Sequence, residues 1–259
     1  MERGYKPDDI VRKLQELQAD IYLLYELDRG VKRTSGIDMF ARVEAGLGLP
    51  GKYVTESHEI DTVWRRFNFH EGRGGGERGN AVFSRFDILE YRTLELPVPP
   101  HIQPISFPMS KVFQPDTVPR KSQIFQIETA RGSISIASIH LELFRLHWKD
   151  REQQLEAIIR EMRTDHLLIA GDLNTVGGAL KANLLRTPGG GDVAKMRAWL
   201  REKNLIDPFT DTDTTCGRLG IRAKIDWMAA SPGLKVLATH SVSTNLSDHN
   251  YLVVDYDLR

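Results

Sequence analysis

The stretch "HLLIAGDLNT", residues 166–175, decides how this sequence can fold. Its apolar half, stopped by Gly171, is typical of a short interior strand in a sheet covered on both faces. Alternate residues of a strand point the same way, so Asp172 and Asn174 can face one spot. The alternative is a simple turn, because Asp and Asn side chains hydrogen-bond to their own backbone.

Composition limits the classes of protein that this chain can belong to. Its 259 residues are 41% hydrophobic and 27% charged, which suffices for one large core or two small ones and excludes a disordered chain. Lys plus Arg equals Asp plus Glu at 35 each, so there is no global basic field that would attract nucleic acid, although a local basic groove stays open. The lone Cys216 excludes an internal disulfide and a thiolate zinc cluster.

Targeting features are absent from the sequence. No apolar run reaches the roughly 18 residues of a membrane-spanning helix, so no transmembrane segment is predicted. The opening "MERGYKPDDI" is charged and lacks the apolar centre of a secretory signal. We therefore expect a cytoplasmic location.

Helical and strand patterns alternate along the chain. The patterns predict helices over 6–20, 36–49, 147–162 and 191–205, the last with Asp192 as N-cap, and strands over 21–27, 53–60, 80–84, 88–95, 166–171, 224–231, 234–241 and 249–258. Residues 122–143 are predicted to form a hairpin that leads to His140, residues 68–80 a flexible glycine-rich loop, and residues 97–119 a proline-rich surface loop or flap. This order favours one α/β domain over residues 1–259, with two packed sheets and helices outside them.

Polar residues lie at or near the ends of five predicted strands. They are Glu26, His140, Asp172, Asn174, Asp226, Asp248 and His249. One polar pocket at a sheet edge would need such a set. Carboxylates and an amide without thiolates suit Mg²⁺ or Mn²⁺; zinc is the alternative because of the histidines, although no H-E-x-x-H spacing occurs. A serine or cysteine hydrolase is disfavoured, because G-x-S-x-G is absent and Cys216 lies in the loop-like "TTCGRLG".

Six segments, in order, carry a resemblance to a known family. They are "ADIYLLYELDRG", "GNAVFSRFDIL", "SIASIHLEL", "LLIAGDLNT", "AKIDWMAAS" and "LSDHNYLVVDYDL". They resemble the A-D-I-x-x-L-Q-E, G-N-A-I-L-S-R, T-H-L, G-D-L-N, I-D-Y/W and S-D-H segments of the endonuclease/exonuclease/phosphatase superfamily. The segments "ELDRGVKRTSGIDM" and "WKDREQQLEAII" look most like its bacterial metal-dependent hydrolase branch.

The resemblance implies a fold and a set of roles. The fold would be the four-layer α/β/β/α sandwich of two mostly antiparallel sheets known as DNase I-like. Glu26 would bind Mg²⁺ or Mn²⁺, Asp172 would orient or deprotonate the attacking water, and Asn174 would hold a phosphate oxygen. Asp248 would support the metal or His249, His249 would act with Asp226 as an acid/base or phosphate-stabilising pair, and His140 would donate to the phosphoryl oxygens.

Two departures from the family pattern leave alternatives open. Tyr25 stands where Gln usually precedes the metal glutamate, and the family's first strand, which ends in Asn, has no counterpart before the first predicted helix. Either a natural start is missing or the site is reorganised. The first hypothesis is a metal-dependent phosphodiesterase acting on nucleic acid, a phospholipid head group or a small phosphodiester. The alternative is a catalytically weakened scaffold that binds phosphorylated ligands without turnover.

Overall fold

A computed structural model describes residues 5–58, 75–98, 119–141, 147–175, 191–210, 215–218 and 221–259. The chain forms two compact units. Unit 1 comprises Met1–Arg85 and Val98–Arg120, and unit 2 comprises Phe86–Pro97 and Lys121–Arg259. No helix in the described part of the chain is long and apolar enough to cross a bilayer.

Unit 1 contains a small antiparallel sheet and two helices. The helices are α1 (Pro7–Leu17) and α2 (Met39–Leu47), with a 3-10 turn at Lys32–Thr34. The strands are β1 (Ile21–Arg29), β2 (Gly51–His58) and β3 (Glu77–Ser84), in the order β1-β3-β2. Asp38 caps α2 by accepting a hydrogen bond from the Ala41 N–H at 3.0 Å, which satisfies one of the unpaired donors of the first turn.

The glycine-rich stretch 68–80 was predicted to be a flexible loop, and its last four residues do not fit that prediction. Glu77 to Asn80 form the first half of β3, whereas residues 68–74 lie outside the described part. Gly76 makes the entry to β3 possible: its φ is +72°, and a Cβ there would lie 2.3 Å from the Arg29 carbonyl oxygen. Only glycine tolerates both conditions.

Unit 2 is built around a five-stranded sheet. Its strands are β4 (Ile88–Glu95), β5 (Lys121–Thr129), β6 (Gly132–His140), β7 (Leu167–Asp172) and β10 (Asp226–Ala230), in the order β10-β7-β6-β5-β4. Two hairpins, β8 (Cys216–Arg218) with β9 (Ile221–Ala223) and β11 (Leu234–Val242) with β12 (Tyr251–Leu258), form separate two-stranded sheets. The prediction of an α/β fold with two main, mostly antiparallel sheets is confirmed.

One parallel pair in this sheet positions the polar strand ends. Strand β6 is parallel to β7, and the connection between them contains α3 (Trp148–Glu161), as a parallel pair requires. Both strands therefore finish at the same edge of the sheet. Strand β10 is antiparallel to β7, so it begins at that edge. The ends of three neighbouring strands meet there.

The core of unit 2 packs these three strands against two helices. Apolar side chains from β6, β7 and β10 pack with α3 and with α4 (Asp192–Glu202); buried members include Ile139, Leu155, Leu173, Trp199 and Trp227. The apolar run in "HLLIAGDLNT" thus reflects burial of an interior strand.

Two local predictions in unit 2 are wrong. Asp192 is the first residue of α4, and Gly191 is the N-cap. The Asp192 carboxylate is instead buried, with Oδ2 3.8 Å from Nε of Arg151. Cys216 begins β8 and does not lie in a loop. The proline-rich stretch 97–119 lies mostly outside the described residues.

A buried ion pair in unit 2 gives a first testable prediction. Lys224 Nζ lies 3.0 Å from Oδ2 of Asp207, with both side chains almost fully buried, and Arg197 Nη1 lies 3.2 Å from the same oxygen. Asp207→Asn leaves the Lys224 ammonium buried without its anionic partner, so we expect the free energy of unfolding to fall by about 3–5 kcal/mol in urea titrations. Glu16→Gln removes an exposed ion pair with Lys13 and should change it very little. An equally small change in the free energy of unfolding for both variants would contradict the claim that Asp207 compensates the buried charge of Lys224.

Candidate active site

Three of the predicted site residues occupy neighbouring positions across the sheet edge. In the parallel β6–β7 pair, His140 is the register partner of Asp172. In the antiparallel β7–β10 pair, Asp226 is also the partner of Asp172. Residues 140, 172 and 226 are 32 or more positions apart in sequence, and the strand register places them side by side.

The turn after β7 is held by the side chains that the sequence singled out. Asn174 has φ +49°, a left-handed conformation that Asn tolerates better than most residues. Its backbone N–H donates to Oδ1 of Asp172 at 2.8 Å, and its Nδ2 donates to the Leu141 carbonyl at 2.7 Å. Both alternatives for this segment are therefore realised: a buried strand ends at Asp172, and an Asp-stabilised turn follows it.

Asp226 and His249 form a close pair. His249 Nδ1 lies 3.0 and 3.1 Å from the two carboxylate oxygens of Asp226, so Nδ1 carries the hydrogen that the carboxylate accepts. Burial by itself lowers the pKa of His249, but the hydrogen bond and charge of Asp226, with smaller contributions from Asp172 and Asp248, raise that pKa to about 9. The imidazole is therefore cationic at neutral pH in the metal-free protein.

The surroundings of Asp172 favour its neutral form, whereas those of His249 favour its charged form. Burial, reinforced by the nearby Asp226 carboxylate, raises the pKa of Asp172 to about 6, although His140, His249 and the Asn174 N–H oppose the shift. A carboxyl group with this pKa is mostly ionised at pH 7 and is a better proton acceptor than an ordinary aspartate. Additional positive charge at this place would stabilise its ionised form.

Three of these residues lie close enough together to surround a bound cation. Ligand atoms of Asp172, Asp226 and His249 all lie within 4.8 Å of one another. The two carboxylates suit Mg²⁺ or Mn²⁺, and the imidazole would join them only in its neutral form, which the Asp226 hydrogen bond disfavours. Asp248 is exposed and stands outside this group; it acts on His249 through its charge.

Glu26, the predicted metal ligand, belongs to unit 1. It lies in an irregularity of β1 between Leu24 and Leu27, with φ +58° and an exposed carboxylate 3.2 Å from Nη1 of Arg78. Its N–H donates to Oδ1 of Asn80 at 3.2 Å. The strand pattern alone predicted regular backbone here. The ligand roles of Glu26 and Asp248 stay predictions.

A series of hydrogen bonds that the sequence pattern does not indicate holds this irregularity in β1. Asn80 Nδ2 donates to Oε1 of Glu56 at 2.7 Å, and Arg120 Nη1 donates to Oε2 of the same carboxylate at 2.9 Å. Glu56 is buried, and a buried carboxylate needs a partner of opposite charge, which Arg120 provides. The Glu56 side chain thereby orients the amide that receives the Glu26 N–H.

Other supporting residues were also missed in unit 2. Arg151, fully buried on α3, donates from Nη1 to the Leu173 carbonyl at 3.0 Å, inside the turn between Asp172 and Asn174. The Thr175 hydroxyl donates to the Lys224 carbonyl at 2.8 Å and thus ties this turn to the start of β10. Nothing in the spacing of these residues distinguishes them from surface residues. Their roles follow only from the tertiary contacts.

At one edge of the five-stranded sheet, this α/β fold brings together carboxylates and imidazoles. The chain belongs to the Endonuclease/Exonuclease/phosphatase family, whose model matches residues 2–249. Members of this family are hydrolases that act on phosphoesters. No curated sequence matches the chain with statistical significance.

Several solved structures share the fold. An endonuclease/exonuclease/phosphatase from Beutenbergia cavernae DSM 12333 is 18% identical, with a TM-score of 0.69; the match covers 98% of this chain and 66% of that one. ANGEL2, a 2',3'-cyclic phosphatase in complex with adenosine-2',3'-vanadate, is 17% identical, with a TM-score of 0.65 and coverage of 100% and 87%. The human Nocturnin catalytic domain with bound sulfate is 17% identical, with a TM-score of 0.60 and coverage of 98% and 86%.

Proposed function

We propose that this protein is a divalent-metal-dependent phosphodiesterase that hydrolyses its substrate by in-line attack of water. The observation that carries the proposal is the grouping of Asp172, Asp226 and His249 within 4.8 Å in a chain of this family. Hydrolysis of a phosphodiester requires neutralisation of the phosphoryl charge and an aligned water molecule. The group contains residues suited to both tasks.

The donor set supports Mg²⁺ or Mn²⁺ as the cofactor. Carboxylates of Asp172 and Asp226 would hold the ion, with Asp248 as a further proposed ligand in unit 2. Glu26 is proposed as a metal ligand on the sequence resemblance alone. The raised pKa of Asp172, caused by burial and by the Asp226 charge, indicates a place where a cation is favourable. When bound, the ion would neutralise charge on the phosphoryl oxygens and lower the pKa of a bound water.

Asp172 is the proposed water-orienting residue. Its carboxylate is fixed by the Asn174 N–H, and in the metal-free protein burial raises its pKa to about 6. The carboxylate oxygen that does not hold the ion would accept the hydrogen bond of the attacking water. Asn174 keeps the turn in place through its bond to Leu141 and is proposed to hold a phosphate oxygen. A positioned base of this kind contributes about 10²- to 10⁴-fold to a rate.

His249 and His140 are the proposed partners of the phosphoryl oxygens. Asp226 fixes the His249 ring through Nδ1 and favours its cationic form, which suits an anionic transition state. His140 is buried at the end of β6, beside Asp172 in the sheet register, and is proposed to donate to the same oxygens.

The chemistry of the site and the similarity to other proteins support a phosphodiester substrate. Nucleic acid, a phospholipid head group and a small phosphodiester all present the required group. ANGEL2 is a 2',3'-cyclic phosphatase, and its structure contains adenosine-2',3'-vanadate, so a 2',3'-cyclic nucleotide belongs in the assay panel. The equal numbers of acidic and basic residues, 35 each, do not favour a nuclease that binds through a general basic field.

A substrate panel tests the proposal. We expect hydrolysis of bis-p-nitrophenyl phosphate, and of at least one of a short DNA, a short RNA and adenosine 2',3'-cyclic phosphate, with Mg²⁺ or Mn²⁺, and its loss on addition of EDTA. Hydrolysis that EDTA does not affect would contradict metal dependence. Calorimetric binding of metal or phosphate without any turnover would favour the scaffold alternative, and robust turnover would eliminate it.

A further inference from the structure

Thr215 is a buried residue immediately before β8, and its side chain contacts the backbone that carries Asp226. The Thr215 hydroxyl oxygen accepts hydrogen bonds from the Ile225 N–H at 3.0 Å and from the Asp226 N–H at 2.9 Å. Thr215 is wholly inaccessible to solvent, so water does not replace these bonds. One hydroxyl thus fixes two successive peptide groups at the start of β10.

The main chain of Thr215 reaches the segment that carries His249. Its carbonyl accepts a hydrogen bond from the Asn250 N–H at 2.7 Å. The next residue, Cys216, forms an isolated antiparallel bridge with His249 itself. Residues 215 and 216 therefore hydrogen-bond to two backbone segments, 225–226 and 249–250, that are more than twenty residues apart.

These two sets of contacts meet at the Asp226–His249 pair. The ring nitrogen of His249 is 3.0 Å from the nearer carboxylate oxygen, so displacement of either backbone piece by about an ångström would break or reshape the bond. We propose that Thr215 is a positioning residue, which holds Asp226 and His249 in the geometry of their hydrogen bond. Its catalytic consequence rests on the proposed function, whereas its effect on the His249 ring does not.

The chain offers a pair of substitutions and a matched control. Thr215→Val keeps the shape of the side chain and removes the hydroxyl, and Thr215→Ser keeps the hydroxyl. Thr164 provides the control, because its hydroxyl also bonds two backbone groups, accepting from the Ser135 N–H at 2.9 Å and donating to the His166 carbonyl at 2.8 Å. These bonds lie toward the opposite ends of β6 and β7, away from His140 and Asp172.

The kinetic arm separates positioning from simple destabilisation. With bis-p-nitrophenyl phosphate and Mn²⁺, we expect Thr215→Val to lower kcat by about 10²-fold with little change in KM, the size of effect that a displacement of about 1 Å produces. Thr215→Ser should restore most of the rate. Thr164→Val should keep the wild-type kcat at temperatures where it is folded.

The spectroscopic arm does not depend on activity. In metal-free protein labelled with ¹⁵N in its histidine rings, the His249 signals, assigned by their loss in His249→Gln, should show a hydrogen on Nδ1. Thr215→Val should shift these signals, while Thr215→Ser and Thr164→Val should leave them at their wild-type positions. If Thr215→Val does not fold, Thr215→Ala, which also lacks the hydroxyl, is measured in the same way.

The outcomes separate this proposal from the proposed function. Unchanged His249 ring signals in the hydroxyl-less variant, or equal loss of kcat in Thr215→Val and Thr164→Val, would overturn the positioning role. A wild-type protein that hydrolyses nothing on the panel would overturn the proposed function alone, because the ring signals would still decide whether Thr215 orders the pair.

Discussion

Asp172→Asn is expected to lower kcat/KM for phosphodiester hydrolysis by about 10²- to 10⁴-fold and to leave the metal-free protein at least as stable as the wild type. The two effects have one cause. Folding buries the Asp172 carboxyl and raises its pKa from 3.8 to about 6, so at pH 7.5 the ionised form is less favourable in the folded state than in the unfolded state. The amide removes that cost together with the proton acceptor.

The measurements are steady-state kinetics with bis-p-nitrophenyl phosphate and thermal unfolding in EDTA at pH 7.5. Asp165→Asn is the matched control, since it makes the same chemical change at an exposed residue just before β7 and should leave both quantities unchanged. Asp172→Asn with more than a tenth of wild-type kcat/KM would show that this carboxylate is not the water-orienting group.

His249→Gln is expected to lower kcat/KM by about 10²- to 10⁴-fold and to remove part of the pH dependence of stability. The pKa of His249 is raised from 6.5 to about 9: burial opposes the charged form, but the hydrogen bond and charge of Asp226 outweigh it. The pair therefore contributes stability that is fully present below pH 6.5 and is lost as the pH rises through about 9. The variant should lack this decline.

Urea unfolding of the metal-free protein at pH 6, 7.5 and 9 measures the effect. Asp226→Asn removes the other half of the pair, so the double variant should be no less active than the worse single variant. His240→Gln, at an exposed histidine of β11, is the control for loss of an imidazole. A decline in stability that is identical in His249→Gln and the wild type would contradict the pairing.

Sequence patterns predicted the long elements and the residues at their ends. The apolar run of 166–171 corresponds to β7 at Leu167–Asp172, displaced by one residue, because burial on both faces leaves a strong signal. Six of the proposed site residues lie in unit 2 on or beside elements that were predicted: His140, Asp172, Asn174, Asp226, Asp248 and His249. Strand register makes His140, Asp172 and Asp226 neighbours. Register depends on how the strands pair in the folded protein, and the spacing of residues in the sequence does not encode it.

The parts that the sequence did not predict are short or depend on side-chain contacts. Strands β8 and β9 have three residues each, too few for an alternating pattern to be visible. Asp192 has the composition of an N-cap, yet its carboxylate is buried near Arg151 and Gly191 takes the cap position. The irregularity at Glu26 depends on the side chain of Asn80, and the Thr215 hydroxyl on the backbone N–H groups of Ile225 and Asp226, so neither is visible in a local pattern.

Crystals grown with Mn²⁺ and measured at an X-ray energy where manganese scatters anomalously provide the most direct test of the central claim that Asp172, Asp226 and His249 belong to one metal-assisted site. We predict an anomalous peak within coordination distance of the Asp172 or Asp226 carboxylate, and its loss in crystals of Asp172→Asn grown in the same way. A bound Mn²⁺ elsewhere on the protein, with none at this sheet edge, would contradict the claim.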